Sequence, residues 1–288
     1  MYGRVALNHP RRLLRPVSFS GRGLHTGEHS EVNVYPLDGG GPELEAEGAF
    51  SPLTLCAAEG AGRGTTVLLP GEEGRARTTE HLFAALFGLG LWSVRISLKG
   101  SEIPACGGCA KHFADSLFEA SEPLGQAESA RILKGALSPS LPLVITDDGR
   151  GSSISIFPRS AFRATYVIQY ERCPIGTSMV LYDHGRDDFR ECIAPARTFA
   201  LASEVDELRS QGLAVGGSLD NAVVVGEASV QAMGGLRFPD EFARHKILDL
   251  MGDLYLLGAP LNAEVTAIRA GHAMHCRLVE RLREKKGD

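Results

Sequence analysis

Apolar and polar positions alternate with period two along much of the chain and switch to a helical period at intervals. Residues 13–37, LLRPVSFSGRGLHTGEHSEVNVYPL, read as strand, turn and strand, with β-prone flanks around Gly21, Gly23 and Gly27. His25 and Thr26 sit at the apex of that glycine-rich turn, where a histidine is ordinarily solvated. Residues 38–76 carry short β-like runs, LTLCA and TTVLL, joined by glycine-rich connections. From Thr78 the pattern changes. TTEHLFAALFGLGL opens with threonines able to cap, is apolar on most faces and stops at glycines, so it predicts a short buried helix with Glu80 and His81 in its first turn. VRISLKG predicts a strand, and after EIPACGGCA comes a helix, KHFADSLFEA.

Beyond a linker expected at Glu122–Arg131, the second half runs through the same order. LPLVITDDG, SSISIFP and RATYVIQYE are strands; a helix follows over 241–258, then the strand AEVTAIRAG and a terminal helix, HAMHCRLVERLREK. Each half therefore ends strand, buried helix, strand, glycine, helix, which indicates internal duplication of an α+β unit. The expected domains are 1–126 and 127–288. The second half also carries an insertion, residues 194–238. In it APARTFALASEVDELRSQGL reads as an amphipathic helix with Ala200, Leu201, Val205 and Leu208 on one side, and AVGGSLDNAVVVGE as a turn followed by an apolar strand. An insertion of this length is either a binding element or a cover for the core.

The helix EFARHKILDLMGDLYLLG concentrates the candidate chemistry. His245, Asp249 and Asp253 recur every four residues, so at 3.6 residues per turn they rise along one face ~6 Å apart. Leucines, Ile247 and Met251 cover most of the remaining circumference, which turns the imidazole and both carboxylates inward. Buried carboxylates need a compensating cation, and a metal site is the economical reading; an exposed stripe is the competing one. In the duplicated unit His81 occupies the equivalent helix. Packing helix on helix would bring it towards His245 and Asp249, giving two histidines and one aspartate with a fourth tetrahedral position open, as a catalytic zinc site requires.

Composition narrows the class. With 43% hydrophobic and 23% charged residues over 288 positions, the chain is an ordinary globular protein, long enough for two domains. A net charge of −5 argues against nucleic-acid binding, which needs a basic footprint. The apolar run Leu82–Trp92 is interrupted by Gly88 and Gly90 and is too short to span a bilayer, so no membrane span is expected. Arg4, Arg11, Arg12 and Arg15 precede no apolar core or small-residue cleavage site, and the six cysteines are scattered, so a cytoplasmic location is expected. Cys106 and Cys109 form a lone Cys-x-x-Cys and are expected as free thiols without a catalytic role.

VSFSGRGLHTGE, RGTT, TTEHLFAAL, ARTF, RSQGLAVGGSLDNAVVV, EFARHKILDLMGDLYLLG and AGHAM occur in one order over nearly the whole chain. Together they resemble the UDP-3-O-acyl-N-acetylglucosamine deacetylase family, zinc amidases of lipid A biosynthesis. The resemblance implies an α+β fold of two duplicated β-α-α-β domains, each with an insert and with the helices sandwiched between two sheets. It implies Zn2+ held by His81, His245 and Asp249, Glu80 as the general base and His272 as a cationic group oriented by Asp253. It further implies substrate contacts from His25 and Tyr170, from Thr198 and Phe199 near the metal and sugar, and from Lys246 at the diphosphate. Ala214, Ser218, Ala222 and Val224 match an apolar passage for the 3-O-acyl chain. The implied partner is thus a UDP-linked acylated amino sugar, and a monomer is expected. One departure stands out: in EIPACGGCAKHF, Gly107 and Cys109 replace the acidic residue and serine usual in the family, and Lys111-His112 replace a small residue and a proline. A paralogue acting on another N-acyl sugar, or a non-catalytic nucleotide-sugar binder, are the alternatives.

Overall fold

In the computed structural model the described residues are 9–60, 63–71, 74–171 and 173–284, without the side chains of Asp206, Leu208 and Arg209; Arg4 and the side chain of Leu208 thus fall outside them. The first half runs β1 (Arg11–Leu13), β2 (Val17–Arg22), β3 (His29–Pro36), β4 (Glu43–Ala46), β5 (Ala49–Pro52), β6 (Ala57–Glu59), β7 (Thr66–Leu68) and β8 (Arg75–Arg77). It continues with α1 (Glu80–Leu89), β9 (Val94–Lys99), α2 (Lys111–Glu119) and β10 (Ser121–Pro123). After α3 (Gln126–Lys134) come β11 (Leu143–Asp147), β12 (Ser152–Pro158), β13 (Arg163–Tyr170), β14 (Gly176–Asp183) and α4 (Phe189–Cys192). The chain then forms β15 (Phe199–Leu201), α5 (Ala202–Ser210), β16 (Val223–Val225), β17 (Val230–Gln231), α6 (Glu241–Leu254), β18 (Ala263–Ile268) and α7 (His272–Glu284).

The duplication is visible in the sheets. One five-stranded sheet has the order β2-β3-β9-β4-β5 and the other β11-β12-β18-β13-β14. In both, the third strand of the order is antiparallel to the hairpin on one side and parallel to the strand on the other, β4 with β9 and β13 with β18. Matching strands bury alternate residues, as in β9 and β18, so each sheet turns one apolar face towards the helices. The inserts also correspond: three-stranded β6-β7-β8 precedes α1, and three-stranded β15-β16-β17 precedes α6. The architecture is α+β, two repeats of one unit around an inner helical layer.

That layer rests on α1 against α6. Every residue of α1 is buried, and on α6 only Arg244 and Lys246 are partly open. At the crossing Gly252 meets the start of α1 backbone to side, since a Cβ at 252 would lie 2.1 Å from the Glu80 carbonyl oxygen. Glycine is required there by space, and the contact sets how far His81 stands from α6.

Several expectations are corrected. LTLCA begins as a 3-10 turn, Leu53–Leu55, because its chain bends to carry the first sheet into the insert; only Ala57 onward is strand. No side-chain cap is made by Thr79 at the α1 N-terminus, whose hydroxyl is buried. Most of the segment expected as linker is ordered as β10, paired with β1, and as α3. The amphipathic helix of the second insert starts at Ala202; Ala200 and Leu201 belong to β15, where pairing with β16 outweighs helical periodicity. Helix α6 gives way to a 3-10 turn at Tyr255–Leu257, closed by Gly258 in the left-handed region (φ 67°). GTSMVLYD, not assigned from sequence, is the edge strand β14.

Filling the α1–α6 crossing tests this packing. Gly252→Ala is expected to destabilise by about 1–3 kcal/mol, the usual cost of forcing a methyl group into a packed core. The check is the denaturant midpoint; an unchanged value would mean that the two helices do not approach so closely.

Candidate active site

Helical periodicity and the α1–α6 contact together assemble the first cluster. His245, Asp249 and Asp253 are buried along one face of α6, and Glu80 and His81 are buried in the first turn of α1. The rings of His81 and His245 stand 5.2 Å apart, and one donor atom each from His81, His245 and Asp249 lies within 4.8 Å of the others. The Nδ1 of His245 is 3.1 Å from the Ala196 carbonyl oxygen, an acceptor only, so Nδ1 carries the proton and the Nε2 lone pair faces inward. That Nε2 is 3.3 Å from Asp249 Oδ1.

Electrostatics suit a cation at this point. Burial, reinforced by His245, lowers the His81 pKa to about 3, and burial also lowers that of His245, so both imidazoles are neutral with lone pairs to give. For Asp249 burial alone would raise the pKa, but His245 and Lys246 outweigh it and the carboxyl is held well below its usual range. Lys246 Nζ donates to Asp249 Oδ2 at 2.8 Å, whereas the buried Oδ1 has no hydrogen-bond partner among the described residues. An ionised oxygen left so is costly unless it meets positive charge. Two neutral imidazoles and this half-satisfied carboxylate are compatible with a metal ion.

Asp253 behaves differently, because every oxygen is engaged. Thr65 Oγ1 donates to Oδ1 at 2.6 Å, while Oδ2 faces Nδ1 of His272 at 2.8 Å and Nδ1 of His275 at 2.7 Å. Burial would lower the His272 pKa, but Asp253 and then Asp249 outweigh it and raise it to about 9. Its Nε2 stands 3.7 Å from Asp249 Oδ2. Glu80 is pushed up to about 7 by burial, against the pull of His272, and its Oε2 accepts from the Thr65 backbone amide at 3.0 Å. Beyond Asp253, the Nε2 of His275 reaches Tyr166 Oη at 3.0 Å.

The walls come from both inserts and the first hairpin. A small cavity over the cluster is lined by His25, Thr198, Ala214 and Ala222 together with Glu80 and His272. His25 is half-buried, not solvated, and neither ring nitrogen has a hydrogen-bond partner among the described residues. Its turn is held by Glu102 of EIP, which accepts from the backbone amides of His25 (2.9 Å) and Thr26 (2.8 Å), and by the second insert, whose Val215 amide donates to the His25 carbonyl at 3.1 Å. Beside the cavity opens a cleft of about 370 Å³ bordered by Tyr170, Phe199, Lys246 and His272 with Arg63 and Arg150. Tyr170 and Phe199 pack edge to face at 5.7 Å. Ser218 and Val224 line neither space: Ser218 is exposed, its amide bonded to Asn221 Oδ1 at 2.8 Å, and Val224 is a half-buried residue of β16.

The altered turn is firmly packed. Gly108 presses on the second insert so closely that a Cβ would lie 1.5 Å from the Asn221 carbonyl oxygen, and its own carbonyl accepts from Thr198 at 2.8 Å. Cys106 and Cys109 are free thiols; burial, with Cys109 beside it, pushes Cys106 up to about 12, which removes any thiolate character. Thr65, His275, Tyr166 and Arg197 were not singled out from the sequence. Thr65 lies within RGTT, and His275 follows His272 by three residues on one helix, which is a shared face. Arg197 of ARTF makes a buried ion pair with Glu241 (2.9 Å) and anchors the insert to α6. No periodicity points to Tyr166 as a site residue.

Comparison with known proteins identifies the family. The family profile described as UDP-3-O-acyl N-acetylglycosamine deacetylase matches residues 11–284. A protein of Myxococcus xanthus is 36% identical over 276 residues, covering 94% of this chain and 85% of its own length. One from Chlamydia muridarum is 35% identical over 279 residues, 95% of this chain and 94% of that protein. A third, from Syntrophotalea carbinolica, is 35% identical over 275 residues, with 94% and 86% covered. All three are named UDP-3-O-acyl-N-acetylglucosamine deacetylase. Since the match takes in both repeats, both inserts and every buried histidine and carboxylate of the two clusters, the chain belongs to the UDP-3-O-acyl N-acetylglycosamine deacetylase family.

Proposed function

We propose that the protein is a zinc-dependent hydrolase that removes acetate from UDP-3-O-acyl-N-acetylglucosamine, a cytoplasmic step towards lipid A, and that it works as a monomer with domains 1–126 and 127–288. The observation that carries the reading is one cavity bordered at once by His81, His245 and Asp249, by Glu80 and by His272. His81, His245 and Asp249 would hold zinc, the metal favoured by two imidazoles, a carboxylate and an open position. Bound there, zinc would acidify water and polarise the acetamide carbonyl.

This chain's own residues do the rest. Glu80, buried with one oxygen on the Thr65 amide, takes the proton of the attacking water and needs to be ionised to do so. His272, kept cationic by Asp253, presents Nε2–H to the oxyanion and then gives its proton to the leaving amine. Thr198 borders the reacting centre from the insert side. Lys246, with Phe199 under its ammonium at 5.5 Å, and Tyr170 line the cleft where the diphosphate and uracil would lie. His25, Ala214 and Ala222 border the cavity on the side assigned to the acyl chain, with Ser218 and Val224 further along the insert.

Acetate release from UDP-3-O-acyl-N-acetylglucosamine is the direct assay. Folded, zinc-loaded protein that releases none would sink the assignment; activity on another N-acyl sugar alone would favour a paralogue, and binding without turnover a non-catalytic protein.

Four variants sharpen it. Purified protein should carry about one zinc per chain, and His245→Ala should lose most of it by metal analysis; full occupancy in that variant would contradict the ligand set. Glu80→Gln should retain zinc but lower turnover by at least ~10²-fold. The pH profile of kcat/KM should be bell-shaped, rising as Glu80 loses its proton and falling as His272, raised to about 9, loses its own. A cation held by His81, His245 and Asp249 would draw the acidic limb below the Glu80 value of about 7, because positive charge favours the carboxylate, and Asp253→Asn should move the alkaline limb down. Finally, Ala222→Trp should weaken long-chain substrates more than a short-chain analogue by about 1–3 kcal/mol; equal losses would place the acyl chain elsewhere.

A further inference from the structure

Thr65 belongs to the first insert, outside the three helices that carry the candidate catalytic groups, yet it is fully buried at their centre. Three bonds radiate from it. Its backbone amide donates to Glu80 Oε2 at 3.0 Å, its hydroxyl donates to Asp253 Oδ1 at 2.6 Å, and the hydroxyl oxygen lies 3.1 Å from His272 Nδ1. One threonine thereby touches α1, α6 and α7 together.

Donor counting determines the arrangement. A hydroxyl has one hydrogen, and an ionised carboxylate can only accept, so the hydrogen goes to Asp253 and the Thr65 oxygen is left as an acceptor. His272 Nδ1 faces two acceptors, Asp253 Oδ2 at 2.8 Å and Thr65 Oγ1 at 3.1 Å, and must therefore carry a proton. Nε2 becomes the nitrogen that serves the cavity. On Glu80 the amide of Thr65 occupies Oε2, while the other oxygen, Oε1, is approached by Gly64, at which a Cβ would stand 3.0 Å away.

Resting on the deacetylase reading above, we propose that Thr65 is the positioning residue of this active site, holding the proton acceptor Glu80 through its amide and the orientation of His272 through its hydroxyl. It touches no reacting atom. Its effect passes through the two groups it holds, and the side chain and the backbone can be tested apart.

Thr65→Val keeps shape and amide but removes the hydroxyl, and Thr65→Ser keeps both. For the valine variant kcat should fall about 10-fold or more, the scale of one hydrogen bond to a charged group, with KM within about twofold and zinc content unchanged. Serine should restore most of the rate. A readout without substrate accompanies this: the downfield Nδ1–H resonance of His272, assigned by its loss in His272→Ala, should persist in wild type and Thr65→Ser and broaden or vanish in Thr65→Val. If valine does not fold, Thr65→Ala takes its place with the same expectations. A wild-type kcat in Thr65→Val, a loss in Thr65→Ser equal to that in valine, or an undisturbed His272 resonance without the hydroxyl would each overturn the proposal. Wild-type protein that shows the resonance pattern but releases no acetate would instead overturn the deacetylase reading and leave the positioning role standing.

Discussion

The close crossing of α1 and α6 is the constraint on which the rest of the structure depends. Backbone of Glu80 lies against Gly252, and no other residue type leaves room for that approach. Because Glu80 and His81 start α1, and Gly252 stands between Asp249 and Asp253 on α6, the same contact that packs the core brings histidines from two repeats to 5.2 Å. Stability and site geometry are thus one arrangement, and the site is carried on helices, with its walls and Thr65 supplied by inserts.

Two aspartates one turn apart on α6 show how hydrogen bonding sorts roles. Asp253 is saturated, with Thr65 on one oxygen and the imidazoles of His272 and His275 on the other. A carboxylate so engaged orients its partners and holds positive charge nearby. Asp249 accepts from Lys246 on one oxygen and leaves the other bare beside His245. Burial of charge without a partner is expensive, so that bare oxygen is compatible with a bound cation. Residue type is the same at both positions; the difference is supplied by elements far away in sequence.

The inserts occupy the same place in each repeat, before α1 and before α6, and both turn towards the cluster. The first delivers Thr65 and Arg63, and the second delivers Thr198, Ala214 and Ala222. A buried Arg197–Glu241 pair ties the second insert to the first turn of α6, and the insert's backbone in turn bonds the His25 turn. The CGGC turn is tightly packed, since glycine at 108 permits the backbone contact with Asn221 on which the insert rests.

Much of this was legible in the residues. The four-residue ladder on α6, the buried helix with Glu80 and His81, and the repeated order of elements all follow from periodicities of 2 and 3.6 that any apolar face must obey, and they implied the α+β duplication and the pairing of the two helices. Short-range competition was not legible. LTLCA and the start of α5 adopt what their neighbours' hydrogen bonds demand, and GTSMVLYD becomes an edge strand because β13 offers it a partner. Nor could spacing reveal that Thr65, 188 residues from Asp253, supplies its hydrogen bond, or that of these two aspartates it is Asp249 whose buried oxygen has no hydrogen-bond partner among the described residues. The sequence by itself determined which faces are buried and which side chains they carry, because burial is a local pattern. Only the tertiary structure decided which of those buried groups share a proton and which lack a partner, because hydrogen bonds act over about 3 Å and depend on where distant segments come to lie.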